Sequence, residues 1–270
     1  MRQSYRLLAF GFALAVATPA GAQSANNDSL VTSMIDMLTD ASRWHVALHG
    51  GSGSFGNFLL QQTPAGAVAL RANRSFAVGG GGGFDVDDNS QIKLDYTYTG
   101  SQTQYRDWTG TGSDLLNIRD LGRLTTNAVS LEADHYFVGS RSLVSPYAGF
   151  GVAGIWSHLS PDAVLANLAG GTPVVAPLLT TPGGSQKFGF GATANLGAQV
   201  RITDEFFARA EWATMNTPNP FNGNRSFQAP LAVTYDQPSR VSKNEWRLAA
   251  VYYLGKQAPS QQRPTVATSP

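Results

Sequence analysis

From residue 43 to 255 apolar and polar side chains alternate one by one in successive stretches, the period of a β-strand with one dry and one wet face. Eight such stretches stand out. The first sets Trp44, Val46 and Leu48 against Arg43, His45, Ala47 and His49, and the second holds Phe76, Val78 and Phe84 on one face around the glycine run 79–83. The third gives Ile92, Leu94, Tyr96 and Tyr98 against Lys93, Asp95, Thr97 and Thr99. The fourth gives Val129, Leu131, Ala133, His135 and Phe137 against Ser130, Glu132, Asp134 and Tyr136. Ala148, Phe150, Val152 and Trp156 oppose Tyr147, Gly149, Gly151 and Ala153 in the fifth. The sixth runs from Phe188 to Ile202, with Lys187, Asn195, Gln199 and Arg201 opposite; the seventh sets Phe206, Ala208, Ala210 and Trp212 against Arg209 and Glu211. In the eighth, Trp246, Leu248, Ala250, Tyr252 and Leu254 face away from Glu245 and Arg247.

The connections follow a second rhythm. Segments 87–90, 139–142 and 203–205 are short, whereas 50–73, 100–125, 157–185 and 214–242 are long and rich in Gly, Pro and Asn. Alternating short and long connections predict an eight-stranded antiparallel up-and-down β-barrel with one turn side and one loop side. Before it, Leu30, Val31, Met34, Ile35 and Leu38 make one apolar stripe at helical spacing after a cap at Asp28, so residues 23–42 are read as a leader with a short amphipathic helix. Residues 256–270 hold three prolines and nothing able to build a core, which reads as a disordered tail.

Periodicity alone fits a soluble barrel of lipocalin type as well as a membrane barrel, in which the apolar face turns outward because lipid does not solvate charge. Three features favour the membrane. The apolar faces lack Asp, Glu, Lys and Arg, while Asp95, Glu132, Asp134, Arg201, Arg209, Glu211, Glu245 and Arg247 fall on polar faces in both signs and are expected to form an interior charge network. Aromatic residues Trp44, Tyr98, Phe137, Trp156, Phe188, Phe206, Trp212, Trp246 and Tyr252 lie on the apolar faces and are expected to form the headgroup girdles. Finally, Arg2 and Arg6 precede an apolar run at 7–17 that ends in Ala20, Gly21 and Ala22, the pattern of a cleaved signal peptide over residues 1–22. That run is shorter than the ~20 residues a membrane helix needs.

Composition agrees with this reading. Charged residues make up 14% of the chain, below the ~25% of soluble domains, yet a mean hydropathy of −0.14 is too polar for a bundle of membrane helices. A net charge of +1, from 19 basic and 18 acidic residues, leaves no footprint for nucleic acid; loss of Arg2 and Arg6 turns it one unit negative. The absence of cysteine excludes disulfides, thiol catalysis and thiolate metal sites.

The signal peptide, the opening strand from Trp44 to Gly51, the segment from Pro146 to Gly154 and the last strand from Trp246 to Leu254 together resemble the small eight-stranded outer-membrane barrels of the opacity-protein and surface-antigen type of Gram-negative bacteria. The resemblance covers about residues 43–255 and implies an outer-membrane barrel with periplasmic termini and four external loops. It implies a non-enzymatic part in envelope integrity and in contacts with host or other surface ligands through those loops. Outer-membrane lipids, lipopolysaccharide and the barrel assembly machinery are the expected partners. Members commonly end on an aromatic residue, whereas here fifteen residues follow Gly255, so Tyr252, Tyr253 and Leu254 are expected to serve internally as that strand end.

Other chemistry is thin. The rivals are a small-solute or ion channel through water beside Gly149, Gly151, Gly189 and Gly191, and a lipid A-modifying enzyme built on histidine. His45 and His49 are expected inside the barrel, His135 on the lipid face, and His158 in a loop near Ser157 and Asp162. No catalytic residue, cofactor or metal is expected. Asp85, Asp87 and Asp88 lack the Gly and Glu of a calcium loop and read as a solvated turn, and glycines 79–83 lack the Lys and helix of a phosphate loop. They are expected to allow curvature or close packing of bulky neighbours inside the barrel.

Overall fold

The computed structural model describes residues 27–63, 66–107, 117–161, 185–219, 235–236 and 239–255. The signal segment 1–22 and the tail 256–270 lie outside these residues, as do the tips of the long connections. Two units are separable, Met1–Asp40 and Ala41–Pro270. The first holds helix α1 (Asn27–Thr39), which starts one residue before Asp28 and ends where Thr39 Oγ1 donates to the carbonyls of Ile35 and Asp36.

The second unit is a β-barrel preceded by a single 3-10 turn (Ala41–Arg43). Its strands are β1 (Trp44–Phe55), β2 (Asn57–Thr63), β3 (Gly66–Asp85), β4 (Ser90–Asp107), β5 (Asn117–Tyr136), β6 (Val144–Pro161), β7 (Ser185–Arg201), β8 (Phe206–Pro218), β9 (Tyr235–Asp236) and β10 (Arg240–Tyr253). The wall is antiparallel throughout, in the order β1, β3, β4, β5, β6, β7, β8, β10, and pairing of β1 with both β3 and β10 closes it. β2 continues β1 past Gly56 and pairs with the upper part of β3 and with β9, so these two short strands belong to the loop side.

The register fixes the tilt. Stepping across paired residues from Trp44, the path runs through Phe84, Ile92, Ala133, Phe150, Ala194, Thr214 and Asn244 and returns to β1 at Ser54, ten residues on. With ~3.3 Å per residue and ~4.7 Å between strands, that stagger over eight strands gives a tilt of about 40°.

The strands are longer than alternation predicted, and most of the extra length lies on the loop side. Much of 50–73 and 100–125 is hairpin, because alternating polar residues in β2 to β5 keep their backbone pairing beyond the apolar band. The short turns are built by local bonds: Asp87 Oδ1 accepts the Asn89 N–H at 2.7 Å, Thr203 Oγ1 accepts the Phe206 N–H at 3.0 Å, and Gly139 adopts φ +93° in the β5–β6 turn.

Candidate functional site

Alternation places the polar face of every wall strand inside. Apolar side chains point out: Leu48, Phe150 and Leu248 are more than 70% exposed, a surface that is stable only against lipid. Of the residues expected in the charge network, Asp95, Glu132, Asp134, Arg209, Glu211, Glu245 and Arg247 are buried inside. Arg201 is not among them. It is the last residue of β7, where the wall ends, and its side chain is exposed.

The interior is one continuous ladder of charge. At mid-height Lys93 Nζ lies 2.9 Å from Glu132, 3.1 Å from Asp134 and 3.0 Å from Glu211, a cation from β4 holding acids of β5 and β8. Asn195 donates to Glu132 at 2.8 Å and to Asp134 at 3.1 Å, and Tyr147 donates to Glu211 at 2.6 Å. Arg247 extends the ladder upward, 3.3 Å from Glu211 and 2.7 Å from Glu245, whose other oxygen is 2.6 Å from Lys243. Beside it His49 Nε2–H donates to Asp95 at 3.0 Å. Toward the turn side Arg209 donates to Gln199, Gln91 and the Tyr136 hydroxyl, while Asp85 meets Gln91, Ser140 and Arg141.

Sequence reasoning missed four charged members. Lys93 stood on the predicted polar face beside Asp95, and the same alternation finds it. Lys243 is one step back along the face of Glu245 and Arg247. Asp85, read as part of a solvated turn, is 6% exposed because it continues the inner face of β3, while Asp87 and Asp88 are exposed as expected. Arg141 comes from a turn and reaches in to lie 3.8 Å from the Tyr253 ring centre, which no strand periodicity signals.

Among the described residues, buried aromatic side chains flank the ladder at both ends. On the turn side Tyr136, Tyr147, Phe207 and Tyr253 are fully buried, and on the loop side Phe55 and Phe58 pack with ring centres 5.7 Å apart. At Gly149 and Gly151 the space of the missing side chains is taken by Asp134 and Asn195 and by the Glu132 stem. The inward glycines of β3 do the same for imidazoles: a Cβ on Gly79 or Gly83 would strike the ring of His49 or His45. A cavity of about 30 Å³ lies beside Gly81, lined by His45, His49, Lys93, Asp95, Arg209, Glu211 and Arg247, room for a water or two.

All nine expected girdle aromatics point outward, but at two heights and in the middle. Trp44, Phe137, Phe206 and Tyr252 stand at the turn-side rim; Trp44 packs on Phe84 with ring centres 5.0 Å apart. Tyr98, Trp156 and Phe188 stand toward the loop side, roughly 20–30 Å higher by residue rise and tilt, matching the ~25 Å apolar band. Trp212 and Trp246 correct the expectation. They face each other half-way along β8 and β10, so they meet acyl chains rather than headgroups.

Of the histidines, His45 and His49 are buried inside and His135 is exposed outside. His158 lies on strand β6, opposite Thr125 and Gln186, and not in a loop. Among the described residues no cluster of His, Asp and Glu is arranged to hold a metal ion.

Residues 8–252 match the family described as Outer membrane protein beta-barrel domain. The chain belongs to this family. Its barrel resides in the outer membrane. The outer membrane protein OprG from Pseudomonas aeruginosa is similar in fold, with 11% identity, a TM-score of 0.51, and coverage of 78% of this chain and 95% of that one. Neisserial surface protein A is also 11% identical, over 78% of this chain and 96% of that chain, with a TM-score of 0.44. No curated protein matches the sequence.

Proposed function

We propose that this protein is a closed structural barrel that strengthens the envelope and presents its external hairpins as a contact surface, without catalysis. The observation that carries this reading is the interior, where a paired charge ladder is flanked by aromatic side chains at both ends. Such an interior specifies and rigidifies the wall, since any unpaired member would be a costly buried charge. The extension of β2 to β5 beyond the apolar band supports the second half, because it carries paired strands past the headgroup level.

The test has two arms. Replacing residues 220–234 by a short Gly-Ser turn is expected to leave a barrel whose gel migration still changes on boiling, while adherence of cells to surfaces falls; unchanged adherence sinks the contact role of that hairpin. In planar bilayers the purified protein is expected to give no steady conductance, and steady steps would replace this reading with a small-solute channel. Replacing His158 by Ala is expected to leave the lipid A profile unchanged; a changed profile would favour the enzyme.

A further inference from the structure

On the outer face of the wall, just above the apolar band, the ladder between β3 and β4 slips between Ala72 and Ser75, so that Asn73 and Arg74 together oppose the single residue Gln102. Ala72 and Ser75 on either side are buried inward, whereas Asn73 and Arg74 are both exposed. The bulge therefore turns an arginine outward at a level where regular alternation allows only one outward side chain. On the next strand Gln102 pairs with Arg123, also exposed. Arg74, Gln102 and Arg123 thus form one row across β3, β4 and β5, with the outer two backbones roughly 10 Å apart by strand spacing.

Beneath the row lies an aromatic shelf. Phe76 and Tyr98 have ring centres 5.9 Å apart, and Arg123 Nη2 donates to the Tyr98 hydroxyl at 3.1 Å. Gly100 lets the shelf pack close to the wall: a Cβ there would lie 2.6 Å from the Phe76 ring and 3.4 Å from Arg123 Nη2, so the ring fills the space that a side chain would take. An aromatic shelf and two exposed arginines together make a patch with a lipid-facing floor and a cationic rim.

We propose that this row binds a phosphate group of an outer-leaflet glycolipid, with Arg74 and Arg123 clasping the phosphate and an acyl chain lying over Phe76 and Tyr98. Charge and depth select the occupant. A cation on the lipid face of a barrel is costly at mid-membrane and tolerated at the interface, and a planar guanidinium meets phosphate through two parallel N–H bonds. The proposal rests on placement in the outer membrane and not on the role of the hairpins, so loss of adherence with intact lipid preference leaves it standing.

The full chain, folded in detergent, is offered bisphosphorylated lipid A or its dephosphorylated form, and retention is read by native mass spectrometry. The phosphorylated lipid is expected to be retained about tenfold more strongly, the scale of one charge-assisted contact pair. Arg74→Gln with Arg123→Gln is expected to abolish the preference, and the Lys pair to keep only part of it, because the charge remains while the planar fork is lost. Equal retention of the two lipids by the natural protein, or an unaltered preference in the Gln pair, would overturn the proposal. If the pair fails to show heat-modifiable migration, Arg74→Gln alone serves, since it leaves the Arg123 to Tyr98 bond in place; a loss of about threefold is expected, and no loss would count against the site.

Discussion

Lys93 is the residue on which the interior turns. One ammonium serves three carboxylates, from Glu132, Asp134 and Glu211, in a space closed to bulk water. Replacing it by Met leaves those acids without their shared cation. The expected cost is about 3–5 kcal/mol, read as a lower urea midpoint for loss of heat-modifiable migration; a midpoint within error of the natural protein would show that Asn195 and Arg247 hold the acids without it. The glycines of β3 make a second point at this scale. Gly83→Val is expected to destabilise the barrel because its side chain meets the His45 ring, and removal of that ring in a Gly83→Val, His45→Ala double variant is expected to recover part of the loss. Purely additive losses would mean that the backbone, and not the imidazole, sets the limit. That residues 79–83 make room for bulky neighbours was legible in the sequence, but the identity of the two rings was not, since they come from another strand.

At the level of strands, register decides which outward aromatics sit at the headgroups. The sequence marks Trp212 and Trp246 as outward aromatics no differently from Trp44 or Tyr252, but their pairing half-way along β8 and β10 places them among acyl chains. The depth of substitution is the check. Trp246→Arg is expected to cost roughly 2–4 kcal/mol and Tyr252→Arg roughly 0–1 kcal/mol, the difference between midplane and rim, measured by urea unfolding in lipid vesicles. Equal costs would contradict the assigned depths. The helix and the eight wall strands were readable because their periods are strong, whereas the upper halves of β3, β4 and β5 were not. Above the apolar band both faces of a hairpin are polar, so alternation fades while backbone pairing continues.

For the whole molecule, orientation and closure are the properties to test. With the turn side facing the periplasm, protease on intact cells is expected to cut within residues 220–234 and to spare Arg141, which lies in a turn with its side chain against Tyr253. Cleavage at Arg141 with protection of 220–234 would invert the barrel. Closure predicts that no single uncharged substitution at the rim opens a steady current. Phe55 and Phe58 are buried at one end, and four aromatic residues are buried at the other.

What the sequence by itself determined was the division of each strand into a lipid face and a wet face, and with it the barrel, the membrane and most of the buried charges. A strand has period two, and the medium on each side selects its residues independently of the neighbouring strands. What only the tertiary structure decided was which charge meets which, why Arg201 is left outside, how Arg141 reaches in, and where Arg74 points. Those depend on the stagger of ten residues around the wall, on where each strand ends and on one bulge. Pairing across eight strands is set by the closure of the whole ring, and no local period carries that information.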